Sequence, residues 1–450
     1  MSAALKAVPR APGGSPLIGH ALPLLRRPLD FMKSLPGSGD LVRVDVGTLP
    51  IYFVTSVDLT HELLVTKARN FDKGRFFIRA RSLVGDALPT APSGIHKRHR
   101  RLMQPMFHQA RIAGYANVMA TRAQAMADSW KPGQRVEVDD ELAQFSVATL
   151  AETMFSAEIS RPAAEAVIRD VPILLKNALV RTVTPRLLDR IPIPANRRFD
   201  TAAKRLRTVI DDVIALAHQE GDADNEDLLS LLIAARDSDT GDRLTDREVR
   251  DELVAIMFAG TETTASTLCW TFHEIAAHPD IEEKLLAEIE SVVGDRPVGF
   301  EDVPKLEYMD RVLREISRMH SVPLLMRQAT APVELGGVEL PVGTELAFSL
   351  YALHRDARLY DDPERFDPDR WLPERGSQVP REGYIPFGAG ARKCIGDGFA
   401  WTEIVITLAT VLRRWRFERI PGHTVNEVAS AVAHPDSLPM TVVPRGSEGG

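Results

Sequence analysis

The sequence predicts a mainly α fold with small β-sheets, and its length allows either a large helical domain or two or three domains. Three observations carry this. Apolar residues recur at helical spacing through most of the chain from about Leu59 to Val293. One helix, from near Thr245 to about Ala277, runs for roughly thirty residues, well beyond the mean. Strand-like alternation is confined to short stretches, Leu41–Val54 and Val333–Phe348. The 450 residues are 44% hydrophobic and 26% charged, a globular composition with ample core. The net charge of −7 speaks against a nucleic-acid partner. Two cysteines, Cys269 and Cys394, give no disulfide framework, which suits a reducing cytoplasm.

Residues 1–37 form a proline-rich lead-in whose apolar runs are too short to span a bilayer and lack a signal-peptide layout. A soluble, cytoplasmic protein with no membrane anchor is the expectation. The β-rich parts are 38–57, a hairpin around Gly47 and Pro50, and 331–348, with a turn at Gly336-Gly337. Helical spacing marks THELLVTKA, AGYANVMATRAQAMADSW, ELAQFSVATLAETMF and FDTAAKRLRTVIDDVIALAHQ. Two acidic stretches, Gly221–Asp227 and Arg236–Arg243, read as surface loops. Asp237–Glu248 mimics a calcium loop poorly, because its glycine stands fifth rather than sixth. Thr245 and Glu248 make a capping box for the long helix, 245–277, and Pro279 closes it. Tyr308–His320 is a further helix. Segment 361–398 is an ordered meander without regular structure over Asp361–Pro386, rich in Pro, Asp and Arg, and then a glycine-rich loop; a helical run from about Phe399 to Trp415 follows. No repeat, flavin or nicotinamide fingerprint, or iron–sulfur cysteine cluster occurs.

The loop is Phe387-Gly388-Ala389-Gly390-Ala391-Arg392-Lys393-Cys394-Ile395-Gly396. A cysteine just before a helix sits near the positive end of the dipole, which favours the thiolate. The glycines let backbone approach a flat ligand and point amides at sulfur. Arg392 offers a fixed charge to a carboxylate. A buried, inert thiol is the plain alternative for Cys394, as it is for Cys269, which reads as core. The pattern Phe-x-x-Gly-x-Arg-x-Cys-x-Gly resembles the haem-binding loop of the cytochrome P450 family.

Residue by residue, that resemblance implies the following. Cys394 is the thiolate ligand of haem b, within a loop bounded by Phe387, Gly390, Arg392 and Gly396. Glu262 and Thr263, in Ala259-Gly260-Thr261-Glu262-Thr263-Thr264, resemble the acid–alcohol pair that relays protons during oxygen activation. Read from the residues alone, they are a threonine bonded back to its own helix and a solvent-facing glutamate. Gly260 costs a helix interior roughly 1 kcal/mol, so a local opening that admits a small ligand or water is expected there. Glu315 and Arg318 match the family's Glu-x-x-Arg pair. An arginine from the meander joins it, and spacing favours Arg370 over Arg365. His96, Arg100 and Arg327 match propionate-binding positions, with His96 where many relatives have tryptophan. Lys97, Arg98, Arg101 and Lys393 remain for docking an acidic ferredoxin. By position, Phe76, Phe77, Leu83 and Val84, then Ala255, Ile256 and Ala259, then Val322, Leu324 and Leu325, and the Val432–Ser437 turn line a pocket that binds by shape and hydrophobicity.

The implied fold is the cytochrome P450 fold, as one domain over 1–450. The implied activity is monooxygenation of an unactivated C–H bond in a small hydrophobic substrate. Oxygen and electrons come from O2 and from ferredoxin with ferredoxin reductase, or flavodoxin. A monomer is expected. Ile191–Phe199 and Leu102–Phe107 resemble bacterial members that oxidise cyclic terpenes in secondary metabolism; a steroid, fatty acid or macrolide also fits the apolar lining. A peroxide-using or isomerising haem-thiolate enzyme and a haem sensor are the alternatives of other classes.

Overall fold

The computed structural model describes Leu5 and residues 7–155, 165–167, 169–171, 173–174, 191–220, 227–237, 240–376 and 379–446. Most of the acidic stretch read at 221–227, and 238–239 of the calcium-like segment, lie outside the described residues. Contacts group the chain into two compact units: 1–78, 310–394 and 426–436, and then 79–309, 395–425 and 437–450.

The first unit is built on a five-stranded sheet. Leu41–Val46 and Leu49–Val54 pair antiparallel, Leu41 opposite Val54, across the turn where Gly47 has φ +59°. Leu49–Val54 runs parallel to Glu345–Phe348, which pairs antiparallel with Leu325–Ala329, and Phe71–Lys73 completes the sheet against Leu325–Ala329. Side chains alternate between faces. Val42, Val44, Phe53, Met326 and Ala347 join one apolar cluster, while Leu41, Tyr52, Val54, Leu346 and Phe348 join another. The hairpin Val333–Leu335 and Val338–Leu340 turns at Gly336-Gly337, both at positive φ, as the sequence predicts. The lead-in is pinned by His20. Its Nε2 lies 2.8 Å from the Ala11 carbonyl oxygen, and its Nδ1 accepts from the Asp45 amide at 3.0 Å.

The second unit is helical. Gln109–Ser129, Val138–Met154, Pro194–Glu220, Asp246–Ile275 and Asp397–Leu412 are its longest described helices. Asp246–Ile275 starts at the expected capping box: the Glu248 amide donates to Thr245 Oγ1 and the Thr245 amide to Glu248 Oε2. Its length is explained by burial on several faces, with Leu253, Met257, Leu268, Cys269 and Phe272 all in the interior. The helix is continuous through Gly260 and Thr264. The glycine is explained by packing: a Cβ there would stand 3.1 Å from Leu150 Cδ2 of the Val138–Met154 helix. The last helix ends at Leu412 rather than near Trp415. Trp415–Arg419 is instead a strand, because Trp415 and Phe417 alternate with exposed charges and pair with Pro439–Pro444.

Candidate active site

In the first unit, the Cys394 loop is shaped by its glycines. Gly388 and Gly390 have φ of +73° and +68°. A Cβ on Gly390 would lie 2.1 Å from the Leu64 carbonyl oxygen, so only glycine fits. The Cys394 amide donates to the Phe387 carbonyl at 2.9 Å, closing the loop, and the thiol is exposed. Gly396 is the N-cap residue of Asp397–Leu412, so Cys394 stands just ahead of a helix N-terminus, where a thiolate is favoured.

Beside this loop the same unit gathers three cations. Strand pairing sets Lys73 opposite Arg327. Both are buried, at 9% and 7% exposure. Arg327 donates to the Met326 carbonyl at 2.8 Å, and Lys73 lies 4.3 Å from the Phe77 ring centre. Arg392 donates to Asp72 at 2.5 Å. Burial, and then Arg392, push Arg327 down to about 10. Burial, Arg327 and Arg392 hold Lys73 well below the usual lysine range. The sequence reading missed Lys73, since Phe71-Asp72-Lys73 matches no motif; only the strand register brings it to Arg327.

Glu315 and Arg318 are fully buried and doubly bonded, Arg318 Nε and Nη2 each 2.9 Å from the carboxylate. Arg370 Nε donates to Glu315 Oε1 at 3.2 Å, and Trp371 Nε1 to Oε2 at 2.9 Å. Arg365 is exposed and offers Arg318 only its backbone carbonyl, at 3.3 Å. Phe76, Phe77, Val322, Leu324 and Leu325 are each partly exposed. Leu324 and Phe76 pack against one apolar cluster, and Val322 and Leu325 against the other.

In the second unit, Ser93–Met103 carries His96, buried, and Arg100, half-buried. On the same helix, buried His99 lies 2.6 Å from Glu252 Oε1 and 3.2 Å from Glu248 Oε1. Burial disfavours the His99 cation, but the two carboxylates outweigh it and raise its pKa. Two expectations for the basic run need correction. Arg98 pairs with Glu248 and Arg101 with buried Asp237, so neither stands unpaired on a docking face; Asp237 is no solvent-loop residue either. Lys97 is exposed, as is Lys393 of the first unit.

Thr263 is half-buried, and its hydroxyl donates to the Ala259 carbonyl at 2.6 Å. Glu262 Oε2 is buried without a hydrogen-bond partner. Ile256 is partly and Ala259 openly exposed, whereas Ala255 and Leu83 lie in the packed interior, at 3% and 8% exposure. Glu403, about two helix turns beyond Gly396, is buried beside Thr264, and burial raises its carboxyl to about 8. Among the described residues no helix is long and apolar enough to cross a membrane, and no cluster of His, Cys, Asp and Glu suits a metal ion.

The sequence pattern of the family described as Cytochrome P450 matches residues 9–439. The cyclooctat-9-en-7-ol 5-monooxygenase of Streptomyces melanosporofaciens is 40% identical over 437 residues, covering 97% of this chain and 95% of that protein. The pentalenene oxygenase of Streptomyces avermitilis is 40% identical over 438 residues, 97% of each. Among solved structures, the cytochrome P450DA heme domain superposes with a TM-score of 0.85 at 25% identity, covering 97% of this chain and 98% of that one. A family pattern over nearly the whole length, relatives of this identity and coverage, and a shared fold establish that the chain belongs to the cytochrome P450 family, as a haem-dependent monooxygenase.

Proposed function

We propose that this monooxygenase hydroxylates an unactivated C–H bond of a cyclic terpene of sesquiterpene type, in secondary metabolism, as one domain spanning 1–450. The observation that carries the substrate class is the pair of relatives at 40% identity, one named for pentalenene and one for cyclooctat-9-en-7-ol. The apolar, partly exposed Phe76, Phe77, Ile256, Val322, Leu324 and Leu325 suit a hydrocarbon, which offers no polar handle.

The residues present fit haem b. Three mutually repelling cations, two of them buried, ask for anions, and the two propionates supply them. An exposed thiol on a loop that tolerates no Cβ at Gly390 suits ligation by sulfur under a flat macrocycle. Cys394 is the ligand, and Lys73, Arg327 and Arg392 hold propionate charge; the family resemblance assigns the same role to His96 and Arg100. Phe387 and Gly396 bound the loop. When bound, the haem supplies oxygen activation and hydrogen abstraction, assisted by electron donation from the thiolate.

The polypeptide supplies orientation and protons. Thr263 redirects the hydroxyl proton it donates to the Ala259 carbonyl, and Glu262, with an unpartnered carboxylate oxygen, replenishes that proton from water. Glu315, Arg318 and Arg370 brace the meander that precedes the Cys394 loop. Lys97 and Lys393 are docking residues for ferredoxin, itself served by ferredoxin reductase, or for flavodoxin. A cytoplasmic monomer is the working form.

The test is a panel of cyclic terpenes, steroids and fatty acids titrated against the ferric protein. A spin-state change and hydroxylated product with terpenes are expected; tight binding and turnover confined to steroids or fatty acids would overturn the substrate class. Cys394→Ser should abolish the thiolate-type carbon monoxide spectrum, and its survival would remove the ligand assignment.

A further inference from the structure

We propose that Glu427 is a positioning residue: it fixes the 426–436 hairpin against the segment holding Val322, Leu324 and Leu325, and so sets which substrate shapes are accepted. This rests on the lining residues proposed above. The hairpin is small. Glu427–Ala429 pairs antiparallel with Ala433–Pro435, Val428 opposite His434. Its base is closed by Asn426, whose amide and side chain donate to Asp436 at 3.0 and 2.8 Å. Two three-residue strands do not hold a position unaided. One carboxylate ties this pair to its neighbours, beside the packing of Ala433 and its amide bond to the Ser321 carbonyl.

Three groups from two other segments converge on Glu427. His320 Nδ1 lies 2.6 Å from Oε1. The Tyr351 hydroxyl donates to Oε2 at 2.5 Å. Arg355 Nη2 is 3.6 Å from the same oxygen, and its guanidinium lies 3.9 Å from the Tyr351 ring centre. Burial pushes the Glu427 carboxyl up, but His320, Arg355 and Tyr351 outweigh it and leave it below the usual range. The anion is therefore the working form and its bonds are directional.

The same partners control the 322–325 segment. His320 directly precedes Ser321, whose carbonyl accepts the Ala433 amide at 3.3 Å. The Tyr351 amide donates to the Val322 carbonyl at 3.1 Å while its hydroxyl holds Glu427. Tyr351 thus grips both segments at once. Leu324 and Ala429 pack against one cluster that includes Tyr351 and Ala433. Displacing the carboxylate moves the hairpin relative to Leu324. A shift of about 1 Å there is enough to change how a rigid hydrocarbon is presented.

The experiment compares Glu427→Gln, Tyr351→Phe and the double variant, with Leu324→Phe as a probe of the lining, all as haem-loaded protein. The carbon monoxide spectrum reports an intact haem site. Amide hydrogen exchange over 428–434 reports the hairpin. Spin-state titrations with one compact and one elongated hydrocarbon report selectivity. For Glu427→Gln the spectrum should be retained and hairpin exchange should accelerate about tenfold. The ratio of the two dissociation constants should change about threefold or more. Tyr351→Phe should shift both in the same direction by less, and the double variant should be no worse than Glu427→Gln, because the two residues share one bond. If Glu427→Gln loosens the hairpin but leaves the ratio unchanged, the residue is structural only and the proposal fails. If Leu324→Phe leaves both constants unchanged, the lining reading fails and the proposal with it; if Leu324→Phe shifts them and Glu427→Gln does not, Glu427 alone is refuted. Should Glu427→Gln not take up haem, Tyr351→Phe decides by the same two readings.

Discussion

Replacing Lys73 by methionine should have opposite effects on the polypeptide and on its hold on haem. Lys73 is 9% exposed, and strand pairing sets it opposite Arg327. Burial, Arg327 and Arg392 all disfavour its charged form, and only Asp72 opposes them. Methionine fills a similar volume without charge, so in haem-free protein the exchange should stabilise by about 1–3 kcal/mol, the usual gain when a poorly compensated buried charge is removed. Propionate binding loses one charge-assisted bond, and haem dissociation should accelerate by roughly tenfold or more. The pH dependence has a definite sign. A lysine whose folded pKa is depressed destabilises the fold while it is charged, and that penalty fades as pH rises from the folded value towards 10.5. The haem-free wild type should therefore gain stability relative to Lys73→Met across that window. Urea unfolding of the haem-free proteins at pH 7 and pH 10, together with haem transfer to apomyoglobin, measures both quantities. A variant less stable than wild type without haem, yet unchanged in haem dissociation, would refute the reasoning, because Lys73 would then be a packing residue.

Arg370→Ala should destabilise by about 3–5 kcal/mol and lose haem, since it leaves buried Glu315 short of a partner, whereas Arg365→Ala should cost under about 1 kcal/mol; chemical denaturation and haem content compare them. Thr263→Ala should still be reduced by its donor but yield about tenfold less product per electron, with peroxide in its place; unchanged coupling would remove the relay. Glu403, raised to about 8 by burial, gives the fold stability that is present below pH 4.5 and lost as pH rises to about 8. Glu403→Gln should remove that loss, so the variant gains on wild type by roughly 3 kcal/mol between pH 5 and pH 8 in thermal unfolding, and parallel curves would refute it.

Local signals were the legible ones. The Cys394 loop, the capping box at Thr245 and Glu248, and the Gly336-Gly337 turn each lie within a few residues, so chemistry and backbone geometry can be read directly. Arg370 was legible through its Asp-Pro-x-x-Phe-x-Pro-x-Arg spacing, but Trp371 as a fourth partner of Glu315 was not, because nothing local requires an indole to donate there. Lys73 was hidden because its meaning depends on strand register with Arg327. Leu150 was hidden for a related reason: a mid-helix glycine signals that something comes close, and only the fold shows which side chain does. Arg98 and Arg101 looked like free surface charge because Glu248 and Asp237 are remote in sequence. Trp415 extended the apolar run of the last helix, while its strand pairing with Pro444 is non-local.

The Glu315 network is best understood through the backbone it serves. A buried ion pair is weak grounds for stability, since apolar residues of like volume often do as well. Here the two arginines do something apolar residues cannot. Arg318 donates to the carbonyls of His354, Pro363 and Arg365, and Arg370 to those of Asp361 and Asp362. The meander lacks a sheet or long helix to satisfy these carbonyls, and buried backbone acceptors need partners. The guanidinium groups take the place of a strand ladder, and Glu315 both neutralises them and accepts the Asp367 amide at 3.2 Å. A segment whose only regular pieces among the described residues are single turns of helix at Pro368–Trp371, Pro373–Gly376 and Arg381–Gly383 is thereby fixed in one shape, and it delivers Phe387 and Cys394. Substituting Glu315 by leucine should therefore cost far more than the volume match suggests, because two arginines would lose their anchor and the meander's carbonyls their donors.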